Sequence, residues 1–237
     1  MKKDFLNGIK DGMPICLGYF SVSVAFGMSV VLAGMPIWAA VLMSITNLTS
    51  AGQFAASNLL LAGGTFFEIA LTTLIINSRY FLMSFSLSQK VEENMNIPKR
   101  MGISYGITDE IFAVAMGHEG PVRAIYMLGL IITPVLGWTF GTFAGGIATN
   151  FMPERLSTAL GIAMYGMFIA IIVPESKKHL NVLATVIMAI ALSILFTYAP
   201  VLREISSGFS IIIITVAVSV ISALLFPVKD DNGEESK

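Results

Sequence analysis

The sequence predicts an all-α, polytopic helical membrane protein, and three observations carry that prediction. Of 237 residues, 55% are hydrophobic and 12% charged, against about 25% charged in soluble domains, and the mean hydropathy is +0.80. Too few polar residues exist to cover a water-facing surface. The charges are also gathered into short clusters: Lys2 to Asp11, Lys90 to Arg100, Asp109 to Arg123, Glu154-Arg155, Glu175 to Lys178, Arg203-Glu204 and Lys229 to Lys237. Between them lie apolar runs of about twenty residues, enough to cross a hydrocarbon core of roughly 30 Å at about 1.5 Å per residue. Residues 1–237 thus read as one integral-membrane domain with a polar N-terminal tail (1–12) and an acidic C-terminal tail (229–237).

About seven spans are expected, at 13–34, 37–62, 66–88, 122–148, 156–174, 179–199 and 207–227, with a shorter segment at 101–117. Lys2 and Lys3 ahead of the first run resemble a signal peptide. No small-x-small cleavage pattern follows, so the run reads as a retained span. Cys16, the single cysteine, lies in it, which excludes an internal disulfide.

The second run is interrupted by Thr46 to Gln53, which brings Asn47, Thr49, Ser50, Gly52 and Gln53 together. Unsatisfied polar groups in lipid cost several kcal/mol each, so this stretch faces protein or water. Thr49 or Ser50 suits the N-cap of a half-helix starting near Ala51, and Gly52 allows close backbone approach. Such an N-terminus directs N–H groups at an anion. The alternative is interhelical hydrogen bonding within a continuous helix. Glycosylation at Asn47-Leu-Thr is disfavoured by its depth.

Asn77 and Arg79 fall in the third run. On a regular helix Asn77, Tyr80 and Ser84 share one face, and Arg79, Met83 and Ser86 another. An intramembrane arginine is costly and usually functional, and Arg79 lies too deep for easy snorkelling. Glu68 is eleven residues away, roughly 16 Å along a helix, so Asp109 or Glu110 is the expected partner. Asn77 is expected to turn toward the substrate path. In segment 101–117, Tyr105, Asp109 and Ala113 align at i, i+4 if it inserts; at the surface its carboxylates are merely solvated. Gly137, Gly141 and Gly145 recur every fourth residue, the spacing of close helix packing in lipid.

Lys2, Lys3 and Lys10, then Lys90, Lys99 and Arg100, then Lys177 and Lys178 all favour the cytoplasm. Three crossings before Lys90 contradict this unless 37–62 is broken or re-entrant. Gly18-Tyr19, Ala25 and Gly27 recur as Gly137-Trp138, Ala144 and Gly146, and LTTLI (71–75) as LATVI (183–187). These echoes read either as an internal repeat of the kind secondary transporters use or as chance in apolar sequence. No metal cluster, nucleophile–base pair or phosphate loop is present: His118 and His179 sit at segment ends. No cofactor is implied, and no basic patch points to nucleic acid.

GMPICLGYF with AFG (12–27), AGQFAA (51–56), INSRYFLMSFSL (76–87) and ITDEIFA (107–113) together resemble the AzlC family, the large subunits of bacterial branched-chain amino acid exporters. The resemblance implies a multi-pass permease of the bacterial cell (inner) membrane, without enzymatic activity. It implies a small AzlD-type membrane subunit as partner, and a small zwitterionic substrate such as valine, leucine or isoleucine. On that likeness Thr49, Ser50, Gly52, Gln53 and Asn77 are expected at the substrate, with Arg79, Asp109 and Glu110 as structural or coupling charges. The family's Phe-Ala-Gly reads here as Leu48-Thr49-Ser50, with Ala51 at a serine, and Tyr80 replaces a common histidine. Two other readings remain: a membrane scaffold or sensor, and an intramembrane enzyme, which needs a catalytic pair not found here.

Overall fold

A computed structural model describes residues 2–93, 95–151, 169, 172–174 and 176–227. Its helices are α1 (Lys2–Leu32), α2 (Ile37–Thr46), α3 (Ser50–Leu61), α4 (Phe66–Asn77), α5 (Arg79–Ser88), α6 (Ile97–Ser104), α7 (Asp109–Gly117), α8 (Ala124–Ala148), α9 (Leu180–Tyr198) and α10 (Ser207–Leu225). Among the described residues the only β pairing is an isolated Val91–Val122 bridge.

The frame is a parallel pair, α1 and α8. Their contact climbs both helices together: Gly8 lies against Tyr126, Gly12 against Leu130, Gly137 against Cys16, Gly141 against Phe20, Gly145 against Val24. A Cβ at any of these glycines would come within 3 Å of the other helix's backbone, so the seam needs bare backbone on both sides. Lipid supplies no hydrophobic drive between helices, and close packing takes its place. Gly137, Gly141 and Gly145 thus do what their spacing predicts.

The segment 37–62 does not cross. Gln53 Nε2 donates to Ser44 Oγ at 2.6 Å, whereas an unbroken helix would set those residues about 13–14 Å apart. Ile37 packs on Gly146 near the end of α8, and Phe54 returns to meet Phe26 edge-on at 4.9 Å. α2 therefore descends from the far end of α1 and α8, and α3 climbs back toward it. The turn at 47–49 is the polar break seen in the sequence.

A mirrored pair enters from the other side. Glu92 N donates to Val122 O at 3.1 Å and Val122 N to Lys90 O at 2.8 Å, so both ends of the α6–α7 excursion are tied at one level. Segment 101–117 is thus no single helix. It breaks at 105–108, so Tyr105 is separated from the α7 face that Asp109 and Ala113 share. Between these pairs α4 and α5 form a bent crossing, turning 46° at Ser78.

Four described helices are long and apolar enough to span a membrane, and the bent α4–α5 pair makes five. The expected count of about seven is corrected at 37–62, which re-enters; the expected span 156–174 lies mostly outside the described residues, as does the acidic tail. With 37–62 removed, α1 and α4–α5 are the only crossings before Lys90. Lys2, Lys3, Lys10, Lys90, Lys99, Arg100 and Arg123 then share one side. Glu68, at the far end of α4, accepts a hydrogen bond from Ser206 at the start of α10. That fixes the α9–α10 turn on the far side and Lys177 and Lys178, before α9, on the near side. The near side is cytoplasmic by the positive-inside rule.

The two sequence echoes cannot belong to one repeat. Tyr19 and Trp138 lie on parallel helices, but residues 71–75 run from far to near and 183–187 from near to far.

Candidate functional site

All three helix breaks meet at mid-depth, beside Tyr19 and Trp138. Each has a local cause. Thr49 caps α3, its Oγ1 accepting from Gly52 N at 3.4 Å. Thr108 caps α7 in the same way through Ile111 N at 3.4 Å. Ser78 Oγ donates back to Ile75 O at 2.8 Å, a local bond that competes with the helical ladder.

The breaks are stitched to one another. Thr49 Oγ1 donates to Asn77 Oδ1 at 2.9 Å, joining the α2–α3 turn to the end of α4. The Tyr105 hydroxyl donates to Ile45 O, joining the tips of the two re-entrant pairs. Arg79 Nη1 lies 2.8 Å from Asp109 Oδ2, which is the pairing expected from the sequence. Arg79 also donates to the Tyr80 hydroxyl at 3.3 Å and sits 5.1 Å from that ring's centroid. Glu110 takes a different partner: the Tyr19 hydroxyl, 2.5 Å from Glu110 Oε2 and 2.7 Å from Thr108 Oγ1.

Asn77 and Arg79 do not lie on opposite faces of one helix as expected. The bend at Ser78 gives Asn77 to the end of α4 and Arg79 to the start of α5. Ser50 opens α3 and is half-buried. Gly52 is buried, and a Cβ there would lie 2.8 Å from Thr49 Cγ2 and 3.0 Å from the Asn77 amide, so both side chains would have to shift.

Gln53 is placed differently from a substrate ligand. It is fully buried, and both ends of its amide are occupied: Nε2 by Ser44 and Oε1 by Trp138 Nε1 at 2.7 Å. Ser44 bonds Thr142 at 2.7 Å, and Thr142 donates to Trp138 O at 3.0 Å. The four side chains form a closed network that clamps the α2–α3 turn to α8.

Sequence reasoning missed Ser44, Thr108, Thr142 and the role of Tyr19 and Trp138. Thr108 directly ahead of two acids is an N-cap signal. The Gly18-Tyr19 and Gly137-Trp138 echo marked the two rings that now meet edge-on at 5.4 Å.

Three half-helix N-termini (α3, α5, α7) and three C-termini (α2, α4, α6) therefore converge midway across the membrane. The former present the positive dipole end and the latter the negative one. Arg79 and Asp109 keep 44% and 40% of their side chains exposed. Charges so exposed at this depth must border water or protein rather than lipid. An open depression of about 430 Å³ runs along the α4–α5 surface, lined by Ala70, Thr73, Leu74, Asn77, Tyr80, Phe81 and Ser84; Arg79 and Asp109 do not line it.

Residues 14–152 match the family described as AzlC protein. The chain belongs to the AzlC family. The matched region holds the α1–α8 frame and all three breaks. Among AzlC-like relatives, the Inner membrane protein YgaZ of Escherichia coli (strain K12) is 27% identical over 81% of this chain and 82% of its own length. The Branched-chain amino acid transport protein AzlC of Bacillus subtilis (strain 168) is 24% identical over 78% and 74%. An uncharacterized membrane protein of Archaeoglobus fulgidus is 26% identical over 75% and 78%. No solved structure matches. AzlC membership supports a membrane transport role for this chain.

Proposed function

We propose that this chain is the translocating subunit of an exporter for branched-chain amino acids, working with a small AzlD-type membrane subunit in the bacterial inner membrane. The observation that carries the reading is the meeting of three broken helices around Arg79 and Asp109. Half-helix N-termini aimed at a substrate carboxylate, and unwound carbonyls at its counter-charge, are the devices of known secondary transporters. Here the N-terminus of α3 near Ala51 receives the carboxylate. Asp109 or a backbone carbonyl receives the ammonium, and Leu74 and Phe81 the aliphatic side chain. The transport named for the Bacillus subtilis relative concerns the same substrate class.

The test is flux in proteoliposomes carrying this chain with and without a co-expressed AzlD-type small subunit. Leucine, isoleucine and valine are expected to exchange, and the pair to exceed the chain alone. Transport of charged amino acids or sugars with none of the aliphatic ones overturns the proposal.

A further inference from the structure

Along the bent α4–α5 crossing, Ala70, Thr73, Asn77, Tyr80 and Ser84 follow one another at steps of three, four, three and four residues. That is the spacing of a seam that receives another helix, and all five line the open depression on this surface. The seam carries hydrogen-bonding groups that the described residues do not take up. Thr73 Oγ1 is buried and has no partner among them. Asn77 spends its Oδ1 on the Thr49 hydroxyl, which leaves both amide hydrogens. Tyr80 accepts from Arg79 at 3.3 Å and keeps its own hydroxyl hydrogen. Ser84 makes no hydrogen bond among the described residues. Beside them Leu74 and Phe81 stand 53% and 68% exposed. Acyl chains offer these donors no acceptor, so lipid is the wrong cover for the seam. A second copy of this chain fits no better. It would meet the seam about a two-fold axis, amide hydrogens against amide hydrogens. It would also bring together two sites that each set Asp109 and Glu110 against Arg79 alone.

We propose that the seam takes one transmembrane helix of the small subunit, a helix that offers hydrogen-bond acceptors and closes the depression. The inference rests on the small subunit of the proposed exporter and says where it sits. Side-chain hydrogen bonds across helices are the usual glue of such contacts. The placement also gives the partner a task in transport. A substrate side chain held by Leu74 and Phe81 has no outer wall in this chain, and a zwitterion facing acyl chains would be expelled. With the helix in place, the same residues line an enclosed site.

The full chain is co-expressed with an AzlD-type small subunit, and membranes are irradiated after Ala70→p-benzoylphenylalanine or Leu82→p-benzoylphenylalanine. Leu82 is 76% exposed but lies off the seam. The Ala70 variant is expected to form an adduct with the mass of this chain plus the small subunit, and the Leu82 variant none. Thr73→Leu with Ser84→Leu should lower the co-purified small subunit roughly sevenfold, two intramembrane hydrogen bonds of average strength, while the chain elutes as wild type on gel filtration. An adduct of twice the chain's mass, an adduct with lipid alone, equal yields from Ala70 and Leu82, or unchanged co-purification of the double variant overturns the proposal. Any of these alongside leucine flux that needs the small subunit overturns the docking alone. The Ala70 adduct without leucine flux overturns the exporter and keeps the helix on the seam.

Discussion

Arg79, expected as a structural or coupling charge, and Gln53, expected at the substrate, are separated by their surroundings. Arg79 reaches one carboxylate, Asp109, from a different break. Removing the guanidinium leaves an acid stranded at depth, so Arg79→Ala is expected to cut flux sharply, and adding Asp109→Asn to restore part of it. The double-mutant cycle should give about 0.5–3 kcal/mol of coupling; simple additivity rules the pairing out as an energetic contact. Gln53 is buried with its amide fully bonded. Gln53→Leu orphans the Trp138 N–H, at on the order of 1–3 kcal/mol for a buried group, and leaves Ser44 bonded to Thr142 alone. Thermal unfolding in detergent should therefore fall by several degrees, with the apparent KM of the surviving fraction little changed. A raised KM with unaltered stability would return Gln53 to the substrate. The sequence could show that Gln53 was unusual at this depth. It could not show whether the partner was substrate or protein, because Trp138 lies 85 residues from Gln53 and Thr142 meets Ser44 across 98.

At the scale of elements, glycine spacing on α8 was legible because close packing leaves a period of four. Its partner was not, since α1 carries glycines at 8, 12, 18 and 27 without that regularity. The breaks were unevenly visible for a similar reason. Thr46 to Gln53 announces itself by polar residues, whereas the turn at Ser78 depends on one serine back-bond and the bend at 105–108 on the Thr108 cap. The seam makes a paired test possible. A Cβ at Gly141 would lie within 3 Å of the Phe20 carbonyl and the Ser23 hydroxyl, while Gly18, on the same α1, meets nothing within 4 Å. Gly141→Ala is expected to destabilise by about 1–3 kcal/mol through overpacking. Gly18→Ala should be neutral or add about 0.5–1 kcal/mol through backbone entropy. Thermal-shift gel filtration of the two variants reads the difference, and equal behaviour would mean that α1 and α8 do not touch as described.

For the whole molecule, composition alone was enough to call for a membrane, but not to count crossings. A re-entrant pair and a span have the same hydropathy, and only the contacts across a turn tell them apart. The arrangement makes a sidedness prediction. In a Cys16→Ser background, single cysteines at Glu93 and Glu119 should react only from the cytoplasm, and those at Ala62 and Val201 only from outside. If 37–62 crossed the membrane, Ala62→Cys would react from the side opposite to Ala33→Cys; re-entry puts both outside.

The α1–α8 seam also sets an order of events at the ribosome. Asp11 and Tyr126, which bond along it, are 115 residues apart, so at about 5–20 residues per second α1 waits roughly 6–23 s for its mate. Throughout that interval its glycine face has no partner. The first re-entrant pair, whose clamp Gln53 also needs Trp138 from α8, has nothing to close on either. The nascent chain must be sheltered at the insertion machinery until α8 arrives. Damage to the seam would then be met during synthesis, by the quality control that removes unassembled membrane segments, before any transporter exists to fail.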